Sequence, residues 1–92
     1  MIRSFADKKT ENLWQGKRVA AFDTFREKAE RKLAMLDAAT CLEDLGGLPG
    51  NRLEALKGDR KGQHSIRIND QWRLCFRWQN ADAFAVEIVD YH

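Results

Sequence analysis

From His64 to Val89, apolar and polar side chains trade places at nearly every residue, a period of two that describes strands with one buried face. His64, Ile66 and Ile68 alternate with Ser65, Arg67 and Asn69. After a tight turn at Asn69-Asp70-Gln71, the residues Trp72, Leu74, Phe76 and Trp78 alternate with Arg73, Cys75 and Arg77. A second turn, Gln79 to Asp82, leads into Phe84, Val86 and Ile88, interleaved with Ala85, Glu87 and Val89. The pattern predicts an antiparallel meander. Its covered face collects Ile66, Ile68, Trp72, Leu74, Phe76, Trp78, Phe84, Val86 and Ile88, and its other face Ser65, Arg67, Arg73, Cys75 and Arg77.

The first half of the chain carries helical spacing instead. Ile2 to Phe5 reads as a short strand, and Asp7 as the N-cap of a short helix through Trp14, ended by Gly16. Residues 16–23 follow neither period, and the segment 15–24, with Val19 and Phe22 as its apolar anchors, is expected to make few core contacts. Thr24 or Asp23 then caps a helix of about four turns whose stripe is Phe25, Ala29, Leu33 and Leu36, with Phe22 and Ala39 extending it. Its other face carries Arg26, Glu27, Lys28, Glu30, Arg31 and Lys32, with Glu27 and Arg31 forming an i,i+4 pair. Thr40 to Leu45 gives one more helical turn before the Gly/Pro-rich loop Gly46–Asn51, and Arg52 to Leu56 reads as a short strand. The expected fold is α+β: an antiparallel sheet of four to five strands with two N-terminal helices packed on one face.

At 92 residues the chain is expected to form one domain over 1–92. It lacks an apolar run of transmembrane length and an apolar segment near Met1, and Cys41 and Cys75 stand in no metal-ligand spacing. These features predict a cytoplasmic protein with neither a metal nor another cofactor and no membrane partner. The net charge of +2 hides segregation: residues 51–78 carry seven basic and three acidic side chains, and residues 79–92 none basic and three acidic. Arg67, Arg73 and Arg77 share one face by parity, which makes that face an anion-binding surface. With Arg60 and Asn69 in the flanking turns, Arg67 and Arg77 are the candidate RNA-binding residues.

No phosphate-binding loop or nucleophilic triad is present; Gly58 and Gly62 lack the helix that a P-loop needs, and His64 fits a structural place at a strand start. The end of the chain, Asp90-Tyr91-His92, is richer in chemistry. A histidine near its ordinary pKa of about 6.5 exchanges protons at neutral pH. A carboxylate beside it can set its tautomer, and Arg73 can stabilise a phosphorane. Such parts suit RNA cleavage by the 2′-hydroxyl. They are equally compatible with a terminal tail that has no function.

The run from Gly50 to Trp78, above all Leu56-Lys57-Gly58-Asp59-Arg60 and Trp72-Arg73, resembles the HigB toxins of bacterial toxin–antitoxin modules. These plasmid-maintenance killer proteins belong to the RelE/ParE superfamily. Val86 to His92, Met1 to Phe5 and Lys32 to Thr40 extend the resemblance over nearly the whole chain. It implies a RelE-like fold and ribosome-dependent, metal-independent endoribonuclease action on translated mRNA. His92 would be the general acid or base with Asp90 and Tyr91 beside it, Arg73 the phosphate stabiliser and Lys57 a basic neighbour. Glu54 stands where some relatives carry a second active-site histidine, so the base is His92, a carboxylate such as Glu54, or a ribosomal or RNA group. The implied partners are a HigA-type helix-turn-helix antitoxin and the 70S ribosome with its mRNA, operator DNA being reached only through the antitoxin. A ParE-like toxin acting on DNA gyrase and a non-catalytic RNA-binding module are the alternatives.

Overall fold

The computed structural model describes residues 1–90. Helix α1 (Lys8–Trp14) starts where expected: Asp7 is extended, and its carboxylate accepts from Thr10 N at 3.2 Å. The chain leaves α1 through Gly16, at φ +87°, a conformation that costs glycine little. Next comes a 3-10 helix, Ala20–Phe25. Far from making few core contacts, Val19, Phe22 and Phe25 are buried, and Phe25 stacks on Trp72 with ring centroids 5.0 Å apart. The physical reason is the step of three: 3-10 geometry places i, i+3 and i+6 on one side, a period that neither strand nor α-helix templates detect.

Helix α2 (Arg26–Ala38) grows directly out of this 3-10 turn, with no side-chain cap. The expected cap, Asp23, is taken by Arg18, whose Nη2 lies 2.6 Å from its carboxylate. Ala29, Leu33 and Leu36 form the buried stripe of α2 as expected. Helix α3 (Leu42–Gly46) buries Leu45, and Asp44 accepts from both Thr40 N and Thr40 Oγ1 at 2.9 Å.

The sheet comprises β1 (Glu54–Ala55), β2 (Gln63–Arg67), β3 (Trp72–Gln79) and β4 (Asp82–Asp90), paired antiparallel in that order. A second 3-10 turn, Gly58–Arg60, joins β1 to β2. The strand expected over Arg52–Leu56 shrinks to two residues, because Arg52 adopts φ +46° and leaves the extended region. The opening segment lies parallel to β4 through bridges at Ile2–Ala83 and Phe5–Val86. Together with Ser4 Oγ and Thr10 Oγ1, which accept from Ala85 N and Ile88 N, it covers the outer edge of β4.

The helices cover one sheet face. Ile66, Leu74 and Ile88 form a cross-strand row there, with Phe76 and Val86 alongside. One expectation on this face fails at Phe84. Cys75 opposes Glu87 while Arg77 opposes Phe84, so Ala85 and Val86 together stand against Phe76. Ala85, at φ +52°, is the extra residue of a bulge. Beyond it parity inverts: Ala83 enters the core and Phe84 turns to the face of Arg77. Among the described residues, no helix is long and apolar enough to cross a membrane.

Candidate active site

Directly opposed residues of an antiparallel sheet share a face, so the register sorts the face away from the helices into rows. Arg67, Arg73 and Val89 form one row; Glu54, Ser65, Cys75 and Glu87 the second; Gln63, Arg77 and Phe84 the third. The arginines expected on this face are there, but the face is not an open plate. Ser65 and Cys75 are fully buried and Arg73 is only 7% exposed. Arg60 reaches over the second and third rows from its turn, donating to Glu87 Oε1 and Gln63 Oε1 at 3.1 Å each.

Arg73 is gripped rather than free to swing. Its Nε donates to Ser65 Oγ at 2.8 Å, and Nη2 donates to the Arg52 carbonyl at 2.6 Å and the Ser65 carbonyl at 3.3 Å. Glu54 Oε1 lies 3.6 Å from the same nitrogen. The guanidinium therefore bridges β2, β3 and the loop before β1, a planar fork whose orientation is set by partners on three sides. Arg52, Arg67, Asn69, Asp70 and Arg73 line an open polar cleft of about 150 Å³. Arg67 is paired with Asp70 in its rim. Three cations around one small cleft form a site for a doubly bonded anion such as a phosphodiester.

Two contributors escaped sequence reasoning. Arg52 was placed on a strand, yet its left-handed backbone is what turns its carbonyl to Arg73. Asn51 is completely buried and acts as a hub. Its Nδ2 donates to the Leu45 carbonyl at 3.0 Å and contacts Met35 Sδ at 3.2 Å; its Oδ1 accepts from Lys32 Nζ, and its carbonyl accepts from Arg67 N at 2.6 Å. A buried asparagine so occupied locks the loop against α2 and β2. The signal available was an Asn directly after the Gly/Pro loop, which marks turn chemistry rather than a ligand.

The other candidates are dispersed. Asn69 Oδ1 is used by its own turn, accepting from Gln71 N and Trp72 N at 2.9 and 2.8 Å. Arg77 is exposed four residues along β3 from Arg73, about 13 Å at strand spacing. Lys57 is exposed at the turn on the far side of β1, beside the row of Gln63 and Arg77 rather than that of Arg73. Asp90 opposes Trp72, one residue out of phase with the Arg73 row, and accepts from Gln71 Nε2 at 3.1 Å. Tyr91 and His92 lie outside the described residues. Burial pushes the Cys75 thiol above its ordinary value, in keeping with a plain strand residue. His64 stacks on Phe76 on the helix side, away from the cleft.

This arrangement of helices against a short antiparallel sheet is the RelE-like toxin fold. The chain matches over its full length a protein of a YoeB–YefM complex from Staphylococcus aureus, with 18% identity, 98% of that chain covered and a TM-score of 0.61. A heterotetrameric YoeB–YefM toxin–antitoxin complex from the same organism gives 0.59 over the same extents. Residues 3–92 match the family described as RelE-like toxin of type II toxin-antitoxin system HigB, and the chain belongs to that family. It is 34% identical to Endoribonuclease HigB of Proteus vulgaris over 97 residues covering the whole of both chains. Toxin HigB-1 of Vibrio cholerae is 56% identical over 48 residues, 52% of this chain and about half the length of that relative.

Proposed function

We propose that this toxin is a ribosome-dependent endoribonuclease that cleaves mRNA in the decoding site of a translating 70S ribosome and so halts translation. The observation that supports this most is Arg73, a cation buried under a three-arginine cleft and oriented by Ser65 and Arg52. A preorganised guanidinium of this kind stabilises charge that develops on a phosphoryl group without reorganising during the reaction. The family membership and the whole-length similarity to an endoribonuclease support the same reading.

In the reaction, the 2′-oxygen of the RNA attacks the adjacent phosphorus and loses its proton, while the bond to the 5′-oxygen breaks and that oxygen gains a proton. The products are a 2′,3′-cyclic phosphate and a 5′-hydroxyl. Arg73 holds the phosphorane oxygens. In this reading Glu54, half-exposed and 3.6 Å from Arg73 Nη2, takes the 2′ proton, and His92 delivers the proton to the leaving oxygen. Asp90 and Tyr91 orient His92, and Lys57 adds positive charge at the β1–β2 turn. Arg67, Arg77, Arg60 and Asn69 hold RNA. No metal or other cofactor takes part. Residues 1–92 act as one toxin domain in the cytoplasm, restrained by a HigA-type antitoxin that alone carries the operator-DNA contacts.

Primer extension on a reporter mRNA translated by purified 70S ribosomes tests this reading. Wild-type toxin should produce new 5′ ends within the reading frame, and His92→Ala should lower the rate by about 10²–10⁴-fold. Intact mRNA with wild-type toxin, together with arrested gyrase, would overturn the reading in favour of a ParE-like action.

A further inference from the structure

A second cleft, of about 290 Å³, opens between α2 and the loop before β1, lined by Lys28, Arg31, Lys32 and Arg67 around Met35 and Ile68. Arg67 lines both clefts, so the two meet at one arginine side chain. We propose that the cleft beside α2 is a second phosphate-binding site, which takes the sugar–phosphate backbone of the same RNA strand beyond the scissile phosphate. The proposal rests on the endoribonuclease reading above and adds to it a binding track on α2.

A row of basic residues on a helix usually just faces solvent, but three observations set this one apart. Lys32 is held in place: its Nζ donates to the side chain of Asn51, which is itself fully buried. The charge is poorly balanced, because among the described residues no carboxylate pairs with Lys28 or Lys32. Arg31 has only a loose contact with Glu27 at 4.0 Å. The cations also press on one another. Burial first, then Arg67 and Lys28, lower the pKa of Lys32, and an incoming phosphate would relieve that repulsion. Arg67 can swing its pairing from the exposed carboxylate of Asp70 to a phosphate without breaking a buried contact.

Binding of a fluorescein-labelled 12-nucleotide single-stranded RNA, followed by anisotropy across a salt series, tests the track. Each phosphate contact to a single strand contributes about 0.7 to the slope of log K against log salt. The double variant Lys28→Gln/Arg31→Gln should therefore show a slope shallower by about 1.4. Lys9→Gln/Lys17→Gln, at exposed residues that line neither cleft, serves as the control for net charge. Both variants should melt like wild type, since Lys28, Arg31, Lys9 and Lys17 are all exposed. An unchanged slope in the first variant, an equal change in both, or no RNA binding by wild type overturns the inference. So does an unchanged RNA slope combined with lost antitoxin binding, which would assign the cleft to the antitoxin. MRNA cleavage by wild-type toxin on ribosomes is measured in parallel: its absence rejects the endoribonuclease reading, whereas cleavage with an unchanged slope rejects the second site alone.

Discussion

Arg73→Ala is the substitution most easily misread, because the same side chain is proposed for catalysis and is built into the sheet. Its three hydrogen bonds to described residues, to Ser65 Oγ and to the carbonyls of Arg52 and Ser65, would all be lost. At about 1 kcal/mol net for each, their loss costs about 3 kcal/mol. The contact with Glu54 adds little, because that carboxylate is half in water. A domain of this size holds about 5–15 kcal/mol in total, so the variant still folds. Each 1 kcal/mol is equivalent to about 4–8 °C in a domain of 60–100 residues, which places the melting temperature about 12–24 °C below wild type. Thermal unfolding followed by circular dichroism measures this directly. A midpoint within about 4 °C of wild type would show that these hydrogen bonds contribute nothing net and would refute the reasoning. Arg73→Lys keeps the charge but not the fork, so it should lose activity while recovering part of the stability. Loss of toxicity in Arg73→Ala is therefore not by itself a measure of catalysis.

Ala85→Val puts a β-branched side chain at φ +52° in the β4 bulge and should cost about 1–2 kcal/mol, whereas Ala85→Gly should leave the melting temperature unlowered. Thiol titration of the native protein should consume one equivalent before unfolding, at half-buried Cys41. Cys75, buried with its thiol held protonated, should react only after unfolding, and two equivalents before unfolding would contradict its placement. Asp82 is bonded by Arg3 with the N-terminal amine beside it, which holds its carboxyl below the usual carboxylate value. Its folded pKa is depressed, so its stabilisation is present at neutral pH and is lost as pH falls through that lower value. Denaturation curves should accordingly show wild type more stable than Asp82→Asn at pH 7, with the gap closing below about pH 4.

The strands, the α2 stripe and the face that carries Arg67, Arg73 and Arg77 were legible because each depends on local alternation, and alternation is written residue by residue. What escaped was set by partners distant in sequence or by unusual backbone. Val19, Phe22 and Phe25 share a side only in a 3-10 turn, and Trp72, the ring that Phe22 and Phe25 pack on, lies some fifty residues away. The parity break at Phe84 arises from a single left-handed alanine, a residue that gives no warning of such a conformation. Arg73 could be placed on its face by counting, but not its burial, because Ser65 and Arg52 reach it only after the meander has closed. Asn51 looked like one more loop residue, and its role depends on Leu45, Met35 and Lys32 meeting around it.

The strip formed by the opening residues along β4 bears on the order in which the chain can fold as it is made. Ser4 and Thr10 find their partners, Ala85 and Ile88, 81 and 78 residues later. At synthesis rates of about 5–20 residues per second, the start of the chain waits about 4–16 s for the strand that receives it. Until then α1 lacks the strand it packs on, and the loop-closure entropy of the longest contacts is still to be met. The opening strip therefore docks only once β4 has been made.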